Sequence, residues 1–160
     1  EAAAGVRRPG RVRLDGRVGR GGCIYCNSRG SGTGASAQGY SIASQLAEGI
    51  KQVGQRYQVR KFLAYFQSFS NTYAPLETLQ QLYEEALAHP QVVGLSVGTR
   101  PDCLSPEIIQ LLSSYGRNYL IWLELGLQSA HDRTLRVINR GHDAACFAHA
   151  AHLAAAASGW

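Results

Sequence analysis

Two cysteines two residues apart, Cys23 and Cys26 in the stretch Gly21-Gly22-Cys23-Ile24-Tyr25-Cys26-Asn27, are the side chains of this sequence best suited to chemistry. A Cys-x-x-Cys turn brings both sulfurs to one side of the backbone, where they can share a metal ion or a cluster. The spacing alone serves zinc ribbons, thioredoxin-like redox turns and iron–sulfur sites alike, so the neighbours must decide. Tyr25 stands directly before the second cysteine, and glycines at 19, 21, 22, 30, 32 and 34 surround the pair. Such a loop can lie closely against a planar ligand. No second Cys-x-x-Cys accompanies it to complete a zinc site.

Something must hold that loop in place, and the sequence downstream supplies a repeating scaffold. Ile42, Leu46, Ile50 and Val53 recur at helical spacing behind Ser41, a suitable N-cap, and predict a helix over about 41–56. Residues 59–67 (VRKFLAYFQ), 92–98 (VVGLSVG) and 119–127 (YLIWLELGL) read as strands that are nearly continuous apolar runs. Between them, Pro75 starts a helix on Leu76, Leu79, Leu82, Tyr83, Ala86 and Leu87 that Pro90 ends. Ser105, Pro106 and Glu107 open a second, with Ile108, Ile109, Leu112 and Tyr115 turned inward and Gly116 closing it. A helix on Leu135 and Ile138 and another from about Asp143 follow. Residues 28–39 lack periodicity and read as loop, and in 1–20 only Val12-Arg13-Leu14 alternates as a short strand would.

Apolar strands alternating with amphipathic helices argue an α/β fold with a parallel sheet, either doubly wound or part of a (βα) barrel. In both, function gathers at the C-terminal ends of the strands. Polar residues cluster there: Gln67, Ser70 and Asn71 after the first of these strands, Thr99-Arg100-Pro101-Asp102 after the second, Gln128-Ser129 after the third.

Composition is ordinary for a globular domain, at 45% hydrophobic and 17% charged in 160 residues. No methionine is present and the sequence ends in an uncapped alanine-rich run, which reads as a fragment of a longer protein. Arginines at 7, 8, 11, 13, 17, 20 and 29 stand against only Glu1 and Asp15 in the first thirty residues, so the net charge of +5 resides there. A basic end of this kind suits phosphate or nucleic acid, or is simply a solvated tail. No signal-peptide pattern opens the sequence and no run reaches the length of a membrane span, which leads to an expected cytoplasmic location with reduced thiols.

Four stretches carry a family likeness: GRGGCIYCNSRGSGTG (19–34), AYFQSFSNTYAP (64–75), ALAHPQVVGLSVGTRPDCL (86–104) and WLELGLQSAHDRTLRVINRGHD (122–143). On these the chain resembles radical S-adenosylmethionine (radical SAM) proteins, most closely the bacterial group of the YhcC type, related to the MiaB-like radical enzymes. The resemblance implies parallel (βα) units of an open (β/α)6-type TIM barrel, with 19–160 a partial core domain and 1–18 a poorly matching basic segment. It further implies a [4Fe–4S] cluster held by cysteines including Cys23 and Cys26, and S-adenosylmethionine cleaved to a 5′-deoxyadenosyl radical. Cofactor-facing positions carried over by the resemblance are Tyr25, Asn27, Gln67, Thr99, Arg100, Glu124, Gln128 and Ser129. An electron donor such as a flavodoxin or ferredoxin is implied, and RNA is a substrate class by analogy.

One departure from the family pattern bears on activity. The first cluster cysteine of this group lies in a stretch like CPNRDG, and counting back through Asp15-Gly16 places it at Arg11 here. No cysteine precedes Cys23; Cys103 and Cys146 are the spare thiols, with Cys103 close after the GTRPD rim. Two other readings stand beside the radical enzyme: a metal-stabilised nucleic-acid-binding module using the basic end, and a non-catalytic remnant that keeps the fold. Among the histidines, His142 in the NRGHD stretch is suited to orient a loop by hydrogen bonding, whereas His89, His149 and His152 show no partner pattern.

Overall fold

The computed structural model describes residues 2–6, 23–25, 41–67 and 70–157. Four strands form one sheet, β1 (Ala2–Val6), β2 (Phe62–Phe66), β3 (Val92–Thr99) and β4 (Leu120–Leu125), in the spatial order β1-β2-β3-β4 with every neighbouring pair parallel. Helices α1 (Ile42–Tyr57), α2 (Leu76–Leu87) and α3 (Pro106–Tyr115) connect them, followed by α4 (Asp132–Val137) and α5 (Ala144–Ala157). A doubly wound sheet reverses its strand order at a switch point. Here the order runs consecutively, which is the winding of a segment of a (βα) barrel.

The core follows from the two periodicities. Phe62, Ala64 and Phe66 of β2, Val92, Leu95 and Val97 of β3, and Ile121 of β4 share one buried cluster with Ile42, Leu46 and Ile50 of α1, Leu79, Tyr83, Ala86 and Leu87 of α2, and Ile108 and Leu112 of α3. One cluster joining three helices to alternate strand residues places all three helices on the same face of the sheet. The other face carries Tyr65, Ser96 and Trp122 in register across β2, β3 and β4, with Glu124 two residues beyond Trp122. β3 and β4 approach closely at Gly94, where a Cβ would lie 2.0 Å from the Leu120 carbonyl oxygen.

The caps behave as the sequence predicts. The Ser41 hydroxyl accepts from the Ser44 amide at 3.1 Å, and the Ser105 hydroxyl from the Ile108 amide at 3.4 Å, each satisfying an orphan donor of the first turn. Three expectations need correction. The strand expected over 59–67 is confined to Phe62–Phe66, because α1 ends on Gln58 in a left-handed conformation (φ 54°) and the next three residues carry the chain to the sheet. The strand expected over 119–127 is confined to Leu120–Leu125. The Tyr119 amide still bonds back to Tyr115 at 3.0 Å, and β3 stops at Thr99 opposite Leu125. Leu76, expected on the inward face of α2, is exposed at the first position of that helix. The first strand lies at Ala2–Val6, while the expected strand at 12–14 and loop at 28–39 lie outside the described residues.

Tyr115, at the end of α3, carries a pH dependence into the fold. Its hydroxyl is buried with no hydrogen-bond partner among the described residues. Burial, and then the negative charge of Glu84, push its pKa up to about 12 from an ordinary 10.0. A pKa raised on folding contributes stability that is complete below the unfolded value and is lost as pH rises through the folded one, so the window runs from pH 10 to about 12. Tyr115→Phe is expected to leave the thermal midpoint at pH 7 unchanged or slightly higher and to flatten its decline in that window. Circular dichroism melts in alkaline buffers measure this; a variant that declines in parallel with the parent contradicts it.

Candidate functional site

Parallel pairing sets the C-terminal ends of β2, β3 and β4 at one level, with Phe66 opposite Val97 and Thr99 opposite Leu125. Gln67, Arg100 and Gln128 follow those ends on a common rim, as expected from strand type and spacing. Asn71 braces it. Its side-chain amide donates to the carbonyls of Phe66 and Gly98, both at 2.8 Å, while its own carbonyl accepts the Tyr83 hydroxyl at 2.7 Å from within the core. Thr72 donates to the Cys103 carbonyl at 2.6 Å, so the 2.6 Å contact between the Thr72 and Thr99 hydroxyls must have Thr99 as donor.

On the face of the sheet opposite α1, α2 and α3, Glu124 receives two hydroxyls: Tyr65 donates to Oε2 at 2.9 Å and Ser96 to Oε1 at 2.8 Å. These bonds fix the orientation of a carboxylate that is exposed rather than buried. Burial, then the hydrogen bond to Glu124 and its negative charge, raise the pKa of Tyr65 above its ordinary value. Glu124 itself is exposed, so its remaining lone pairs face outward for a ligand.

The cysteine loop sits against the end of β4. Cys23 is buried, and the Ile24 amide donates to the Ile138 carbonyl at 3.1 Å just past α4. The Arg140 guanidinium reaches the Cys23 sulfur at 3.5 Å, the Tyr25 hydroxyl at 3.4 Å and the Gly126 carbonyl at 2.7 Å, and its Nε–H donates to His142 Nε2 at 2.9 Å. For His142 to accept there, its proton must be on Nδ1, which lies 3.1 Å from the Asp143 carbonyl and can donate to it. Burial alone would push the Cys23 thiol up. Hydrogen bonds with Arg140 and Tyr25 and the positive charges of Arg140 and Arg100 outweigh it and bring the thiol below its ordinary value. Cys103 is raised, by burial and then by Asp102, and Cys146 likewise by burial, Asp102 and Asp143. Of the three described thiols, only Cys23 is shifted toward the thiolate.

A thiolate favoured by cationic neighbours is the donor that iron–sulfur clusters take, and in this respect the surroundings of Cys23 fit a cluster ligand. No group of three or more His, Cys, Asp or Glu is gathered for a metal among the described residues; Cys26, Asn27 and Arg11 lie outside them. The other expected positions divide into two sets. Tyr25, Gln67, Glu124 and Gln128 are exposed at the rim or on the inner face, with Gln128 in a left-handed conformation (φ 68°). The side chains of Thr99, Arg100 and Ser129 are engaged structurally: Thr99 with Thr72, Arg100 in a two-point ion pair with Asp102, and Ser129 accepting the His131 amide at 3.1 Å. Arg140 and Thr72 escaped the sequence reading. Arg140 sits in the NRGHD stretch already notable for His142, and that adjacency was the available signal.

Residues 16–159 match the radical SAM superfamily, and the chain belongs to it. Within that superfamily it is similar to proteins of the YhcC type. It is 45% identical over 141 residues to protein YhcC of Escherichia coli K12, covering 88% of this chain and 44% of that protein. It is 40% identical to YtqA of Bacillus subtilis 168 over 133 residues (83% and 41%), and 42% identical to MJ0486 of Methanocaldococcus jannaschii over 127 (77% and 39%). The chain thus spans less than half the length of these relatives.

Because Glu124 is exposed and held by neutral hydroxyls that can reverse their role, Glu124→Gln is expected to change the thermal midpoint little. Removing the negative charge should also lower the Tyr65 pKa toward ordinary, leaving only the part due to burial. Ultraviolet tyrosinate titration of parent and variant checks this, and an unchanged alkaline titration contradicts the assigned hydrogen bond.

Proposed function

We propose that this chain carries the cofactor-binding portion of a radical SAM enzyme, with Cys23 and Cys26 as ligands of a [4Fe–4S] cluster. The observation that carries the proposal is the seating of the Cys23 sulfur beside the Arg140 guanidinium at the strand-end rim, in a chain that matches the superfamily. When bound, the reduced cluster supplies the electron that splits S-adenosylmethionine into methionine and a 5′-deoxyadenosyl radical. The chain's own residues bind and orient. Glu124, fixed by Tyr65 and Ser96, offers acceptor atoms to cofactor hydroxyl or amino groups, and Tyr25 offers an aromatic surface beside the sulfur. Asn27, Gln67, Gln128 and Ser129 complete the polar lining, while Thr99 and Arg100 frame it. A flavodoxin or ferredoxin is the proposed reductant, in the cytoplasm; among the described residues no helix is long and apolar enough to cross a membrane. RNA is the substrate class proposed by analogy.

One sequence feature favours a second reading, in which the chain as given keeps the fold without the activity. Counting back through Asp15-Gly16, the position that the resemblance implies for the family's first cysteine is Arg11. A guanidinium stays protonated and cannot ligate iron. Two thiolates leave two irons of a four-iron cluster without protein ligands, so the unaltered chain is expected to hold little iron after anaerobic reconstitution and to yield little 5′-deoxyadenosine on dithionite reduction. Replacing residues 1–18 with a segment bearing the CPNRDG stretch should recover both, whereas Arg11→Cys alone recovers less because the backbone around it also differs. Iron per chain and 5′-deoxyadenosine are the measurements. A full cluster with brisk cleavage in the unaltered chain overturns the missing-ligand argument and points to Cys103 as a third thiolate.

A further inference from the structure

Arg140 has more partners at this site than any residue the sequence singled out. We propose that it is a positioning residue whose guanidinium pins the cysteine loop to the end of β4 and presents the Cys23 sulfur to a metal. The functional meaning rests on Cys23 being a metal ligand; the tether itself does not. Three separate segments meet on one planar fork: Cys23 and Tyr25 at 3.5 and 3.4 Å, the Gly126 carbonyl at 2.7 Å, and His142 Nε2 at 2.9 Å. Only a guanidinium has enough N–H donors in fixed directions to serve all four acceptors at once.

Two features accompany this path. A Cβ at residue 126 would lie 2.7 Å from Arg140 Nη2 and 2.9 Å from Gln128 Nε2, so a side chain there would push the guanidinium off its place against the carbonyl. His142 is buried, with Nδ1 at 3.1 Å from the Asp143 carbonyl and Nε2 at 3.1 Å from the Gly126 carbonyl, so its ring is held on both sides where Arg140 Nε meets it. The charge has no competing carboxylate: among the described residues the ion pair within 4 Å is Arg100 with Asp102. Arg140 therefore directs its positive end at sulfur and phenol. Among the described residues, the Ile24 amide donating to the Ile138 carbonyl is the backbone tie that accompanies it.

Two readouts test the proposal: hydrogen–deuterium exchange over 23–25, and anaerobic titration with cobalt(II) alone, followed by the thiolate-to-cobalt charge-transfer absorption. In Arg140→Ala, exchange over 23–25 is expected to rise at least about tenfold with α1 and α2 unchanged, and cobalt affinity to fall about 10- to 100-fold, the usual effect of losing a group that orients a metal ligand. Arg140→Lys keeps the charge without the fork and should restore neither. Gly126→Ala leaves Arg140 in the chain but displaces its Nη2 and should move both readouts in the same direction as Arg140→Ala; it decides alone if Arg140→Ala fails to fold. Either readout unmoved in these variants overturns the proposal, because a merely structural residue changes exchange without changing cobalt binding. If the unaltered chain shows no thiolate-to-cobalt band, the metal-ligand reading of Cys23 falls, and the exchange result decides the tether.

Discussion

The register of three parallel strands is the constraint from which the site follows. Once β2, β3 and β4 pair with Phe66 opposite Val97 and Thr99 opposite Leu125, their ends are level and the loops after them share a rim. Packing enforces the register, because a slip of one residue would turn Phe62, Ala64 and Phe66 away from the helices and bring Leu63 and Tyr65 against them. Asn71 then closes the ends of β2 and β3 with three hydrogen bonds and is itself anchored by Tyr83 in the core. Core and rim are thus coupled through one phenol and one side-chain amide.

The two faces of the sheet divide the labour. One is covered by α1, α2 and α3 and holds the apolar core. The other presents a carboxylate held by a phenol and a serine, and at its upper edge a thiolate-favouring sulfur beside a guanidinium. The two arginines at the rim differ in how their charge is spent. Arg100 is neutralised by Asp102 in its own turn, while Arg140 faces sulfur, phenol, carbonyl and imidazole. The half-buried Arg140 cation lies against the Cys23 sulfur, and its charge is among the influences that lower that thiol's pKa.

Much of this was legible in the residues. Serine caps before Ile42 and Pro106, the proline start of α2 and the apolar runs at 62–66, 92–99 and 120–125 give the βα repeat, because local propensity and burial agree there. The cysteine pair and the family stretches point to the chemistry. What sequence could not show are contacts set by the closing of the sheet. Thr99 and Arg100 have the right types for ligand contacts, but neighbours distant in sequence or one turn away engage them first. Nothing in the sequence ties Arg140 to Cys23, since their contact spans 117 residues. The strand at Ala2–Val6 is three alanines, a glycine and a valine, a composition with weak strand propensity, and its pairing with β2 supplies what the side chains do not.

The central claim is that the cysteine loop is seated on the strand-end rim rather than lying free beside it. The contact that defines the seat is the Ile24 amide donating to the Ile138 carbonyl at 3.1 Å. In isotopically labelled protein, a through-hydrogen-bond scalar coupling between the Ile24 nitrogen and the Ile138 carbonyl carbon reports that bond directly. The account predicts a measurable coupling together with slow exchange of the Ile24 amide. Absence of the coupling, with that amide exchanging as fast as in an unstructured peptide, would contradict it.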